Sequence, residues 1–409
     1  MISLVFFLFF ARGFSTVLLD SLMPKLKSLF ELSYSEAMLT QFCFFLGYLF
    51  FSLPAAYVLS RIGYVRAIVL GLMVMATGCL TFCPAALLGL YSGFLVALFI
   101  MAAGMTILQV ATNPFIAVLG VPKTPHSRLT LAQAFNSLGT TIGPLVGAWL
   151  ILGSVSLPST YQTGDTKIAR RIAEAHALQL PFLVIATTLA LVAIIFWAIR
   201  RYPTPTISAN KTNIFSGLRL LRNYRFALGA ISIFLYVGAE VSIGSMMVSY
   251  LTQVSVLSIT APQAGQLLTL YWGGAMCGRC IGSAVLKIVS PCLALSFCGA
   301  MAATLAIVSA YTTGTIAAAT IIAIGLCNSI MFPTIFMLAL ESVGNDRPNA
   351  SGVLCMAIVG GAIVPVITGV VADMRGLAFA LLVPAACYVW IVIYGKYMRA
   401  PSLKNDMGL

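Results

Sequence analysis

Apolar runs about 20 residues long recur from one end of this chain to the other, separated by short polar stretches. At 1.5 Å rise per residue, a helix of about 20 residues crosses the roughly 30 Å hydrocarbon core of a bilayer. Inside hydrocarbon the backbone must satisfy its own hydrogen bonds, which makes each such run a helix. Reading for that length places spans near 2–23, 37–59, 67–88, 91–119, 129–153 and 178–200. Six more follow near 226–252, 264–286, 291–310, 315–339, 350–372 and 377–398. Composition excludes a soluble α-helical protein: 60% of the 409 residues are hydrophobic and 8% charged, where a soluble domain carries about 25% charge.

A net charge of +13 would suit a nucleic-acid binder, but the basic residues sit in short loops between apolar runs, which is the mark of membrane orientation. With both termini in the cytoplasm, fifteen Lys and Arg fall inside and six outside, leaving Arg12 and Arg279 within spans. The expected organisation is an N-terminal six-helix bundle over 1–200, a cytoplasmic central loop over 201–225, a C-terminal six-helix bundle over 226–400 and a cytoplasmic tail over 401–409. Met1 runs directly into apolar sequence without a basic n-region or an A-x-A site, so the expectation is a first span rather than a signal peptide.

The two halves echo each other. Gly139, Pro144 and Gly147 of the fifth span match Gly360, Pro365 and Gly369 of the eleventh. Asn113-Pro114-Phe115 in the fourth has a counterpart in Phe332-Pro333-Thr334 of the tenth. Parallel six-helix repeats related about the membrane normal are the design of major facilitator transporters, whose site lies between the halves. The expected fold is therefore all-α and integral to the membrane: a major facilitator fold of 12 transmembrane helices in two pseudo-symmetric six-helix bundles.

Only ten residues are acidic, yet Asp20 and Glu240 each lie deep in the first span of a half. An acid at a helix centre costs roughly 2.5–3.5 kcal/mol on insertion scales, so acids kept there face a cavity and bind or carry something. Acids at equivalent depth in both halves point to ion-coupled solute transport. Arg12 lies eight residues before Asp20, about 12 Å along a helix and too far for an ion pair. Arg279 is placed to snorkel or to pair with an acid, and Glu240 paired with an arginine would be structural. Gln109 and Asn113 (i, i+4) share one face, as do Gln133 and Asn136 (i, i+3). Amides donate and accept, which suits a polyhydroxylated ligand; the alternative is that they join helices. Tyr236 is i, i+4 with Glu240, Asn328 lies in the tenth span, and Tyr271-Trp272 is either a ligand platform or an interfacial anchor. The ten cysteines include a C-x-x-C, Cys277 and Cys280, without a second pair or a nearby histidine. They read as small packing residues, and no metal site is expected.

The segments LLDSLMPKLKSLF, ILQVATNPFIAVLG, LTLAQAFNSLGTTIGP, YVGAEVSIGS and FPTIFMLALESVG resemble the fucose–galactose–glucose:proton symporter family of the major facilitator superfamily. The resemblance covers most of the chain. It implies a bacterial inner-membrane sugar importer working by alternating access. In the fucose-importing branch an Asp before the first-span proline serves coupled transport, which is Asp20 here, four before Pro24. That branch also has a functional Glu four before the Asn of Asn-Pro, where this chain has Gln109, a departure that removes one protonatable group. Gln-Val-Ala there resembles the glucose/galactose branch. The expected activity is cation symport of a neutral hexose such as glucose or galactose, with fucose or N-acetylglucosamine as alternatives. Asp20 and Glu240 would couple protons. Asp20, Gln109, Asn113, Gln133, Asn136, Tyr236, Glu240 and Asn328 would contact sugar. No cofactor is expected beyond the coupling ion, a proton with sodium as the alternative. The expected partners are a monosaccharide and the lipid bilayer, with no nucleic acid, for a protein working as a monomer. A proton-coupled drug exporter would want an apolar aromatic cavity rather than amides. A membrane enzyme would want clustered acids or histidines, whereas His126 and His176 are read as lying in loops on opposite sides.

Overall fold

Each apolar run is helical over its described part in the computed structural model, which describes residues 1–29, 34–88, 91–153, 166–201, 213–344 and 346–399. Within its helices, the side chains of 18–29, 34–41, 86–88, 91, 144–153, 166–178 and 180–181 lie outside the described residues. The first six spans are α1 (Ile2–Leu29), α2 (Tyr34–Ile62), α3 (Tyr64–Leu88), α4 (Tyr91–Val118), α5 (Pro125–Gly153) and α6 (Thr166–Ala198). Then come α7 (Tyr224–Leu251), α8 (Ala261–Val285) and α9 (Pro291–Tyr311). The last three spans are interrupted: α10 (Gly314–Asn328) with α11 (Met331–Glu341), α12 (Arg347–Met356) with α13 (Gly360–Arg375), and α14 (Leu377–Ala380) with α15 (Leu382–Arg399). Among the described residues, eight helical stretches are long and apolar enough to cross a membrane.

The chain divides into two compact units, residues Met1–Leu119 with Phe135–Phe215, and Gly120–Ala134 with Ser216–Leu409. In the first, α3 packs on α4 and α6, and α2 on α4; in the second, six spans later, α9 packs on α10 and α15, and α8 on α10. The repeated glycines explain part of this repetition. Without a hydrophobic drive between helices in lipid, small residues let backbones approach closely. A Cβ at Gly139 would run into the Phe10 carbonyl oxygen of α1, and a Cβ at Gly360 into the Phe234 carbonyl oxygen of α7. Gly139→Ala and Gly360→Ala are each expected to cost about 1–3 kcal/mol through overpacking. Thermal unfolding in detergent checks this, with Gly273→Ala, whose Cβ would meet nothing within 4 Å, melting like the unsubstituted protein.

The break between α10 and α11 follows from Pro333, which has no N–H to give the carbonyl four residues back. The Ser329 carbonyl takes Arg279 Nε at 3.4 Å instead, and the Asn328 carbonyl accepts the Tyr236 hydroxyl at 2.9 Å. Helical bonding resumes with Thr334 N–H to the Ile330 carbonyl. Pro333 accounts for the freed Ser329 carbonyl, and at the same break the Asn328 carbonyl is open to α7.

Within the stretch expected as the central loop, Ile214–Arg222 forms a 3₁₀ helix. One expectation needs correction. Cys277 and Cys280 are exposed rather than packed, because Gly274, Gly278 and Gly282 put the opposite face of α8 against the α10–α11 break.

Candidate functional site

The second unit holds a polar cluster built from four helices. Glu240 of α7 lies with its Oε1 3.9 Å from Arg279 Nη2 of α8, each side chain 14% exposed. Tyr271, one helical face away on α8, is fully buried and accepts a hydrogen bond from Asn328 Nδ2 at 2.8 Å. Its own hydroxyl reaches the Glu240 backbone carbonyl at 3.4 Å. Tyr236 closes the ring through the Asn328 carbonyl, and Tyr388 of α15 is buried in the same neighbourhood. These bonds satisfy only part of the cluster: among the described residues Glu240 Oε1, Asn328 Oδ1 and the Tyr388 hydroxyl are buried without a hydrogen-bond partner, and such groups are costly unless something else bonds them. The cluster brings together the expected Tyr236, Glu240 and Asn328. It adds Arg279 as the partner of Glu240, and it separates the aromatic pair: Tyr271 points inward, while Trp272 is 44% exposed.

In the first unit the amides occupy α4 and α5. The Tyr48 hydroxyl of α2 donates to Gln109 Oε1 at 2.9 Å, which fixes the orientation of that amide. Asn113, one turn on, is fully buried, and among the described residues neither its Oδ1 nor its Nδ2 has a partner. Leaving a buried polar group unsatisfied costs about 1–3 kcal/mol, so a native site with two such atoms calls for a missing partner, either ligand or water. The half-buried Asn136 accepts Arg12 Nε at 3.1 Å, and Arg12 lies over the Phe9 ring at 4.9 Å. The lone arginine of α1 is therefore engaged with α5. Asp20 falls within α1, but its side chain lies outside the described residues.

Gln133 is buried and belongs with the second unit. His126 is the second residue of α5, not a loop residue, and its Nε2 lies 3.1 Å from Glu341 Oε1. Beside it the Ser127 hydroxyl donates to the Ser283 carbonyl at 2.5 Å. The first turn of α5 is thereby tied to α8 and α11. His176 lies in α6, with its side chain outside the described residues. Among the described residues no group of three or more His, Cys, Asp or Glu converges as metal ligands would.

The repeat contacts also correct the expected depth of the two acids. Phe10 and Phe234 occupy equivalent places against Gly139 and Gly360. Asp20 lies ten residues after Phe10, and Glu240 six after Phe234. The acids are therefore about one turn, roughly 6 Å, out of register along their helices.

A family model described as the Major Facilitator Superfamily matches residues 5–365. The chain is 47% identical over 393 residues to the glucose/galactose transporter of Brucella abortus, covering 95% of this chain and 91% of that protein. It is 33% identical over 416 residues to the L-fucose-proton symporter of Escherichia coli strain K12, covering 97% and 92%. Its coordinates superpose on a crystal structure of the E. coli fucose:proton symporter, FucP, with a TM-score of 0.88 at 30% identity, covering 98% of each chain.

Proposed function

Because this chain belongs to the Major Facilitator Superfamily and has its fold, a membrane transporter rather than an enzyme, we propose that it is a sugar–cation symporter importing a neutral hexose. Glucose or galactose is the first choice, since the protein it matches at 47% identity bears that name; fucose is the second, on the 33% match. The observation that carries a sugar site is Asn113, a fully buried amide with no partner among the described residues, one turn from an oriented Gln109. A hydroxyl donates and accepts at once, which is what an Asn amide asks of its partner.

In this reading Gln109, Asn113, Gln133 and Asn136 supply most of the hydrogen bonds to sugar. Tyr236, Glu240 and Asn328 supply the rest from the second half. Asp20 is the coupling group: it takes a proton from the outside, sugar binds, the two halves close, and both are released inward. Glu240 is a second proton carrier only if Arg279 lets go of it. One proton moving down 100 mV contributes about 2.3 kcal/mol, roughly fiftyfold accumulation. The halves are residues 1–200 and 226–400, joined by the cytoplasmic loop 201–225, with a cytoplasmic tail over 401–409. The protein works as a monomer in a bacterial inner membrane with both termini cytoplasmic.

The deciding experiment is uptake of radiolabelled hexoses into vesicles under proton and sodium gradients imposed separately. Hexose accumulation driven by the proton gradient alone is expected; no accumulation of any hexose under either gradient would end the reading. At the site, Asn113→Ala is expected to weaken sugar binding by about 1–3 kcal/mol. The sugar-free protein should melt no lower than before, because the amide removed has no partner to lose among the described residues. Calorimetric binding and thermal unfolding measure the two effects separately.

A further inference from the structure

In a 3₁₀ helix residues three apart eclipse one another, so Ile214–Arg222 carries three distinct stripes. The stripe of Gly217 and Leu220 faces the protein, while Ile214 at its start is 41% exposed: Gly217 is buried, and a Cβ there would lie 3.1 Å from both the Asn349 carbonyl oxygen and Val353 Cγ2 of α12. The second stripe is wholly apolar and faces outward, with Phe215 69%, Leu218 37% and Leu221 39% exposed. The third is Ser216, Arg219 and Arg222, with both arginines exposed. Three outward apolar side chains beside two arginines would be a poor face to leave in water. Immediately after it, at Tyr224, begins the stretch Tyr224–Leu251 that is long and apolar enough to cross a membrane. At about 2 Å rise per residue the 3₁₀ helix is about 18 Å long, so its whole length stays close to the point where the chain enters hydrocarbon.

We propose that this helix is a lipid-binding element lying in the bilayer surface at the α7 end, occupied by anionic phospholipid. Phe215, Leu218 and Leu221 enter the boundary between headgroups and acyl chains, the position that amphipathic interfacial helices take. Arg219 and Arg222 hold the headgroup phosphates, to which a basic side chain near an anionic surface is attracted. Gly217 lets the helix sit close on α12, where a Cβ would crowd the Asn349 carbonyl and Val353 Cγ2 at 3.1 Å. The assignment is independent of the sugar site.

The test uses the full chain in nanodiscs of mixed phosphatidylglycerol and phosphatidylcholine, with Phe215→Trp as a reporter read against the unsubstituted protein. The position is largely exposed, so the exchange leaves the fold undisturbed. The added emission is expected to be blue-shifted and quenched several-fold more by acyl-brominated phosphatidylglycerol than by acyl-brominated phosphatidylcholine. R219Q and R222Q in that background should each reduce the preference about fivefold, the equivalent of about 1 kcal/mol per basic residue, and high salt should weaken it. Water-like emission quenched by iodide, with equal response to the two brominated lipids, would overturn the proposal and mark the face as one kept for a protein partner. Sugar uptake plays no part in the readout, so its loss or survival bears only on the transport reading.

Discussion

Asp20→Asn is expected to abolish proton-driven sugar accumulation, lowering the steady-state ratio at 100 mV from roughly fiftyfold toward one. Asn keeps the size and hydrogen-bonding capacity of the carboxyl but cannot carry a proton. The halves can therefore still close over sugar and reopen without one. Exchange of external labelled sugar for internal unlabelled sugar should survive, because it asks only for binding and reorientation. The reason to place coupling on Asp20 is its match to the coupling Asp of the fucose-importing branch that the sequence resembles. Position 109 is Gln and carries no proton, and the only other acid so deep in a first span, Glu240, lies 3.9 Å from Arg279. Accumulation measured against an imposed pH gradient, with exchange as the control, checks the prediction. Undiminished accumulation in the variant would move coupling elsewhere.

The helical spans and their repeat were legible because bilayer thickness imposes one length on every span, and because glycines at backbone crossings recur with the helices that need them. The Gly139 and Gly360 pairing could be read before any coordinates, and its physical meaning is the Phe10 and Phe234 carbonyls that leave no room for a Cβ. Asn113 was legible from its i, i+4 spacing with Gln109. What spacing could not carry was register between helices. The depth of Asp20 against that of Glu240 depends on where α1 meets α5 and where α7 meets α13, and counting from span ends misses a one-turn offset. Nor could it show which groups would take up the open carbonyls at the α10–α11 break. Tyr236 and Arg279 do so from two other helices, and only tertiary packing brings them there. Arg279 itself left a signal, a lone guanidinium inside an apolar run, but its choice of Glu240 over solvent did not. Tyr48, which orients Gln109, left none, since a tyrosine in an apolar span reads equally as packing.

Removing Arg279 is expected to be more damaging than removing its partner. Two opposite charges at this distance and burial attract by about 4 kcal/mol at an effective dielectric of 20. Desolvation cancels most of that, so the pair as a whole adds little, but losing one member strands the other at roughly 3–5 kcal/mol. The stranding is unequal. Glu240 sits in the middle of α7, with a short side chain and more than two turns to either end. Arg279 is six residues from the end of α8, has a long stem that can snorkel, and keeps the Ser329 carbonyl as a second acceptor. Arg279→Met should therefore lower thermal stability by most of that 3–5 kcal/mol, and Glu240→Gln by clearly less. The double variant should recover much of the loss, because with Gln at 240 no charge is left uncompensated. Melting all four proteins in detergent gives the coupling directly. Additive losses would show that the two side chains do not depend on each other and that the charge of Glu240 is held by something else.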